Sequence, residues 1–362
     1  MTSLAAVRKH LARLVVEPSA GGSAAAITVA PSTAEEAADV LRTAGQHRLT
    51  VVAWGGGTHQ GYGGAVRPAI VLSTRRMLAV DWRPDDLTVT VGAGVTVTDL
   101  ERRLEGGGQT AVLLEQPGSA TVGGVVAAGV SGYRRLRYGP IRDRVLGATL
   151  VTGDGRIVKG RGKVVKNVAG YDLPRLLTGS LGRLGLVTEV TLKLWPVPSS
   201  VATVHVDRPE QGRWYRPLAM LERNGHGIVV LGGYPDAIRA DAPTHIPGAT
   251  WPEAIANTFR FEVRVPASHT REAVDRIPDG WSYLAQFGVG AITVGMDSPD
   301  VEAALDLRRW AESTGGSLVV ATGNLPIDPW GTPPPSLDIQ RRIVAAFDPH
   351  GVMAAGRLPG GL

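Results

Sequence analysis

The chain contains no cysteine. Disulfides, thiolate zinc sites, a catalytic thiol and an iron–sulfur cluster ligated by this chain are therefore excluded. Electrons bound for such a cluster would have to pass to another polypeptide. A reducing, cytoplasmic compartment is compatible with that composition. No apolar run reaches the length of a membrane span. The first 18 residues, with Arg8, Lys9 and Arg13 spread among short apolar pairs, lack the continuous apolar stretch of a secretory signal. The expectation is a cytoplasmic protein that meets a membrane only through partners. The net charge is +5, yet there is no long Lys/Arg run and no basic–aromatic platform, so nucleic acid is not an expected partner. The surplus fits a mildly basic surface, or attraction for an anionic cofactor or substrate. Internal repeats and low-complexity segments are also missing.

What is plentiful is glycine, 47 of 362 residues, with 25 prolines. A chain of this length can build two domains with real cores. Residues 26–29 read as a strand. Ser32 offers an N-cap with Glu35 completing a capping box, and Ala37, Val40 and Leu41 recur at helical spacing. Strand 50–54 then runs straight into Gly55-Gly56-Gly57, a strand–helix–strand–glycine-loop unit that predicts a parallel pair. Further strands are expected at 69–72 and 87–91, a helix at 97–104, and a helix rich in small residues from 121 to 128. A hairpin is expected at 145–152 and 156–159 around Gly153-Asp154-Gly155. A short helix at 173–177 and a strand at 186–194 follow, ending at Trp195-Pro196-Val197-Pro198. That segment closes a first domain, 1–198. Beyond it, helical patterns at 214–223, 271–277 and 301–313 alternate with strands at 227–231, 259–265, 281–287, 291–294 and 317–321. They predict an antiparallel sheet with helices on one face, a second domain over 199–330. Residues 331–362 form a C-terminal segment with a helix at 337–347.

Four glycine-bearing loops carry the chemistry. Gly55, Gly56 and Gly57, followed by Thr58, His59, Gln60 and Gly61, present bare backbone N–H groups that can cradle a diphosphate without lysine. A flexible βα turn would have the same composition. Pro117 through Thr121 to Gly124 leads into a run of small residues reaching Ser131 and Gly132, open to a flat ring or equally to tight helix packing. Tyr138 to Asp143 is the third loop. The fourth is Lys166 to Leu173, continued by Gly179-Ser180-Leu181-Gly182 and Val187. Their joint order, rather than any one of them, is informative.

On these residues the chain resembles the vanillyl-alcohol-oxidase/p-cresol-methylhydroxylase (PCMH) superfamily, and within it the GlcE-type second flavin subunits of bacterial glycolate oxidase. The matching pieces are Val-Ala-Trp-Gly-Gly-Gly-Thr at 52–58, Thr-Val-Gly-Gly at 121–124, Val-Lys-Asn-Val-Ala-Gly-Tyr-Asp-Leu at 165–173 and Gly-Ser-Leu-Gly at 179–182. Phe347-Asp348-Pro349 with Gly356-Arg357 adds to them, although Ala355 stands where the pattern has proline. The resemblance implies an α+β protein: a PCMH-type FAD-binding domain of two α/β subdomains and an antiparallel cap domain over the flavin. It implies that Gly55, Gly56, Gly57 and Thr58 wrap the FAD diphosphate. It places Pro117, Thr121, Gly124, Ser131 and Gly132 along the ribityl chain and ring, with Val187 meeting the cofactor through its backbone and Arg357 returning to the flavin side. Many relatives link the flavin to a histidine where this chain has Thr58. His59 comes one residue later, so FAD is expected to be non-covalent.

The cap histidines (His205, His226, His245 and His269) show no ligand-spaced pair, so no metal is expected. Tyr283, Asp338 and His226 are possible proton acceptors, with nothing in their spacing to single one out, and the catalytic base stays unassigned. Arg134, Arg135 and Arg137 could dock a carboxylate or a partner, or simply be a solvated loop. Three functions follow: a subunit oxidising a 2-hydroxy acid beside a second flavin subunit and an iron–sulfur subunit, a stand-alone FAD-dependent alcohol, sugar or hydroxy-acid dehydrogenase, or a non-catalytic FAD-binding scaffold.

Overall fold

In the computed structural model the described residues are 4–17, 27–64, 66–160 and 172–362. The Lys166–Tyr171 part of the fourth loop lies outside them.

Among the described residues the amino-terminal half holds two larger sheets and a two-stranded antiparallel pairing of Trp195–Pro196 with Gln109–Thr110. The first has three parallel strands in the order Ile27–Val29, Ile70–Ser73, Val51–Trp54. The strands expected as a neighbouring parallel pair are indeed parallel, but Ile70–Ser73 lies between them. Helix Ala34–His47 covers this sheet, burying Ala37, Ala38, Val40, Leu41 and Ala44. Its cap sits one residue later than expected. The Thr33 hydroxyl accepts from the Glu36 amide at 3.2 Å, and the Glu36 carboxylate accepts from the Ser32 amide at 2.7 Å. The reciprocal logic of the box holds, shifted by one position.

The second sheet has five antiparallel strands, Val80–Arg83, Thr88–Gly92, Leu186–Lys193, Val145–Val151 and Ile157–Gly160 in spatial order. Helices Val97–Glu105, Val122–Ala128 and Leu173–Leu177 share its core.

Residues 200–322 supply one antiparallel sheet of eight strands. Helices Pro235–Asp241, Thr270–Asp275 and Val301–Ser313 all pack into the core on one of its faces. The opposite face buries Leu221, Val230 and Leu284 against Trp251 and against Tyr133 and Tyr138 of the amino-terminal half. One expectation fails here. Residues 214–223 do not form a helix; Ala219–Arg223 is a strand paired on both edges, with His226–Gly233 and with Ser282–Gln286. A central strand is apolar on both faces, so its sequence loses the alternation that would mark it. Pro217 also removes a donor that a helix would need. Strand Ser200–Val206, which the pattern did not mark, pairs with His226–Gly233.

After the sheet the chain returns to the first half. Helix Leu337–Phe347 leads to Asp348, whose carboxylate accepts from the Val352 and Met353 amides at 3.0 Å each and forms a buried ion pair with Arg183. Met353 bridges Val51 of the parallel sheet.

Candidate functional site

A cleft opens at the carboxyl end of Val51–Trp54, where that strand gives way to the glycine loop. Its walls include Gly55, Gly56, Gly57, Thr58 and His59, then Thr121 and Gly124, then Val187, and finally Arg357. Nine of the twelve residues singled out in the sequence thus line one cleft. Pro117 lines a different cleft with Glu101, Arg134 and Trp251. Ser131 and Gly132 line neither. The Ser131 hydroxyl accepts from the Ile141 amide at 2.9 Å. Gly132 packs so closely on Glu115 that a Cβ would lie 2.2 Å from its carboxylate.

Glycine is required in the loop for a local reason. A Cβ on Gly56 would lie 1.7 Å from the Ser119 carbonyl oxygen, and one on Gly55 would lie 2.2 Å from the Thr121 hydroxyl. Gly57 has φ +78°, in the left-handed region. Bare backbone lets two segments rich in amides close on each other, and the Ser119 hydroxyl ties them by donating to the Gly56 carbonyl at 2.9 Å. Thr121 caps the small-residue helix, its hydroxyl accepting from the Gly124 amide at 3.2 Å. The 179–182 turn is pinned onto that helix by Gly179 and Leu181, whose amides donate to the Val126 and Ala127 carbonyls at 3.1 and 2.8 Å.

Two polar side chains in the cleft walls keep a buried atom without a partner: the Thr74 hydroxyl and the Arg357 Nε. Arg357 is 6% exposed and donates to the Gln60 side-chain oxygen at 2.7 Å, yet no carboxylate pairs with it among the described residues. Burial lowers its pKa. A buried cation without a counter-ion, beside exposed glycine amides, is electrostatically incomplete until an anion arrives. Sequence reasoning placed Arg357 here but missed Thr74, which lies in an apolar strand end and carries no motif.

The glycine loop also touches the eight-stranded sheet. A Cβ on Gly61 would lie 2.5 Å from the Ala321 carbonyl. Strand Phe259–Arg264 buries Phe261 and Val263 on the helical side, which turns Arg260, Glu262 and Arg264 toward the cleft side. Glu262 is hydrogen-bonded to Tyr62 of the loop and accepts from the Thr293 hydroxyl at 3.1 Å. Burial pushes the Glu262 carboxyl up, partly opposed by Arg264. Burial also pushes the Tyr62 phenol up and the His59 imidazole down, Arg260 adding to the latter. The His59 and Tyr62 rings lie 6.0 Å apart, which connects this cluster to the cleft.

The proton acceptors considered from sequence lie elsewhere. The Tyr283 hydroxyl donates to Glu222 at 2.8 Å, and the residues beside it on its strand are the ones that face the cleft side. His226 is exposed, and Asp338 is exposed and paired with Arg341. Of the three loop arginines, Arg134 is held by Glu115 at 2.8 Å and Arg137 donates to the Arg216 carbonyl. Among the described residues no carboxylate lies in ion-pair range of Arg135, although the Asp143 charge acts on it. Among the described residues no group of three or more histidine, aspartate or glutamate side chains could hold a metal ion, and no helix is long and apolar enough to cross a membrane.

Residues 25–161 match the family model of an FAD binding domain. The chain is 37% identical over 187 residues to a D-lactate dehydrogenase of Archaeoglobus fulgidus, covering 51% of this chain and 42% of that one. It is 43% identical over 122 residues to glycolate oxidase subunit GlcE of Escherichia coli, covering 33% and 35%. The chain thus spans less than half the length of these relatives. A solved chitooligosaccharide oxidase superposes with a TM-score of 0.69, covering 96% of this chain and 97% of that one at 14% identity, a likeness of fold alone. The fold is therefore α+β: an FAD binding domain matched over residues 25–161, followed by a large antiparallel sheet with helices on one face.

Proposed function

From an FAD binding domain whose cofactor is FAD, we propose that this chain is an FAD-dependent oxidoreductase, acting as the second flavin subunit of a glycolate-oxidase-like complex. It oxidises a 2-hydroxy acid and relays electrons to a separate acceptor. The carrying observation is the cleft, where glycine-loop amides, the Thr74 hydroxyl and the unpaired Arg357 converge. These groups suit a diphosphate: charge-assisted hydrogen bonds from backbone N–H groups and one guanidinium. The flavin, when bound, supplies the redox chemistry; the chain positions it, excludes water and handles the proton. FAD is held without a covalent bond, since Thr58 replaces the linking histidine and the Thr58 hydroxyl is 2.9 Å from the His59 Nδ1.

The partner assignment rests on the similarity to GlcE and on the absence of cysteine, which places any iron–sulfur cluster in another chain. A stand-alone dehydrogenase is the second reading, favoured by the charged cap face that this chain itself supplies over the glycine loop. Purified alone, the chain is expected to be yellow and to release FAD on heating. Glycolate or D-lactate should bleach that flavin anaerobically in the presence of co-purifying subunits. Rapid turnover of the lone chain with an artificial acceptor would transfer the proposal to the stand-alone form.

A further inference from the structure

Arg357 is clasped by the glycine loop and by Trp330, and among the described residues all its hydrogen-bond partners are neutral. Its Nη1 donates to the Gln60 side-chain oxygen at 2.7 Å and its Nη2 to the Gln60 carbonyl at 3.4 Å. Gln60 is itself fixed, its side-chain amide donating to the Ala53 carbonyl of strand Val51–Trp54 at 3.0 Å. The Arg357 carbonyl accepts from the Gly64 amide at 3.3 Å and from the Trp330 indole N–H at 2.9 Å. A Cβ on Gly63 would collide with that carbonyl and lie 3.0 Å from the Trp330 ring, so this contact admits no added atom. Carbonyl acceptors hold a guanidinium in place without cancelling its charge, which a carboxylate would do.

Trp330 is delivered by the eight-stranded sheet. Its loop follows strand Ser317–Thr322 and hangs on helix Val301–Ser313. There the Glu312 carboxylate accepts from the Thr332 amide at 3.0 Å and from its hydroxyl at 2.8 Å. The Asp328 carboxylate accepts from the Trp330 and Gly331 amides at 2.8 and 2.9 Å. The Val320 amide ties the loop to the sheet by donating to the Pro329 carbonyl at 2.8 Å. Gly331, at φ +80°, has no room for a Cβ beside Glu312 and Arg308. A loop pinned at this many points moves only with the sheet that carries it.

Resting on the FAD reading above, we propose that Trp330 is a positioning residue for the cofactor: it fixes Arg357, so the eight-stranded sheet must be seated before FAD is gripped. Gln60 orients the guanidinium and leaves its charge for the anionic cofactor. Trp330 fixes the backbone of the same residue from outside the cleft, whose lining it does not join. A displaced sheet withdraws the indole N–H, frees the Arg357 carbonyl and loosens the cation. Bound FAD, by holding the cation, in turn holds the sheet in place. Such linkage between two sites is reciprocal in binding free energy.

The test is a double-mutant cycle in FAD affinity, measured on the full chain. Trp330→Phe keeps a ring and loses the indole N–H, so it should raise the FAD dissociation constant about five- to tenfold. Arg357→Met should raise it by about tenfold or more. In the Arg357→Met background, Trp330→Phe should add less than about twofold, because Trp330 acts through Arg357. A tryptophan that only supported the fold would cost the same factor in both backgrounds, and that result would overturn the inference. A Trp330→Phe protein that binds FAD like the wild type would do so too. A second measurement needs no change at Arg357. The Trp330 indole N–H resonance, assigned by its loss in Trp330→Phe, should shift when FAD is added to the wild type; a resonance that stays in place while FAD binds counts against the linkage. A wild type that takes up no FAD would instead remove the FAD reading on which the inference rests.

Discussion

The candidate cleft and the sheet strand that meets its glycine loop are made of different material. The floor, residues 55–57 with 119–124, is backbone, and its shape depends on side chains being absent. The roof, strand Phe259–Arg264 with Thr293, is built of charged and polar side chains on a regular sheet. A backbone wall tolerates almost no added atom yet asks little of its neighbours' identity. A side-chain wall keeps its frame when one residue is changed and loses only that residue's chemistry. Substitutions can set the two against each other.

The largest effect should come from the floor. Gly56→Val drives a side chain into the Ser119 carbonyl, where backbone cannot yield, and should abolish FAD retention, measured as flavin absorbance per chain. Next is the strap that brings Arg357 to the cleft. Asp348→Ala strands Arg183 in the interior and frees the Val352 and Met353 amides, which should cost about 3–5 kcal/mol in urea unfolding. A loss below about 1 kcal/mol would show that the carboxyl-terminal strap is not held this way. On the outer cap, Tyr283→Phe removes two hydrogen bonds, the one its hydroxyl donates to Glu222 and the one it accepts from the Gly225 amide, together about 2 kcal/mol, with no change in flavin content or reduction rate. A slowed reduction there would break the assignment of the two cap faces.

Two pH effects sharpen the contrast at the smallest scale. His59 is held below its usual pKa of 6.5, so the unfolded chain takes a proton more readily than the folded one. Its contribution disfavours folding as pH falls below 6.5, and His59→Gln should flatten that slope in melting curves. Glu262 is raised above its usual 4.5, so the folded state is favoured at low pH and penalised as pH rises through the shifted value. Glu262→Gln should therefore melt higher than the wild type at neutral pH, and the gain should vanish below pH 4.5.

The floor was legible in the sequence because its signal is local: consecutive glycines after an apolar strand, and a threonine cap before a run of small residues. Arg357 was reached only through resemblance, since nothing nearby in sequence explains why an arginine should be buried. The roof was not legible. Arg260, Glu262 and Arg264 alternate with apolar residues as any half-solvated strand does, and only the fold shows that this face meets Tyr62 nearly 200 residues away. The helix expected at 214–223 failed for a related reason, because a strand paired on both sides hides its periodicity. Pro117, Ser131 and Gly132 share the glycine-rich character of the floor, but they lie outside the lining of that cleft.

The central claim, that backbone amides of the glycine loop grip the FAD diphosphate, is tested most directly by amide hydrogen exchange with and without FAD. Slowed exchange concentrated at 55–60 and 119–128 is the predicted result. Tight FAD binding that leaves those amides exchanging at their unbound rates would contradict it.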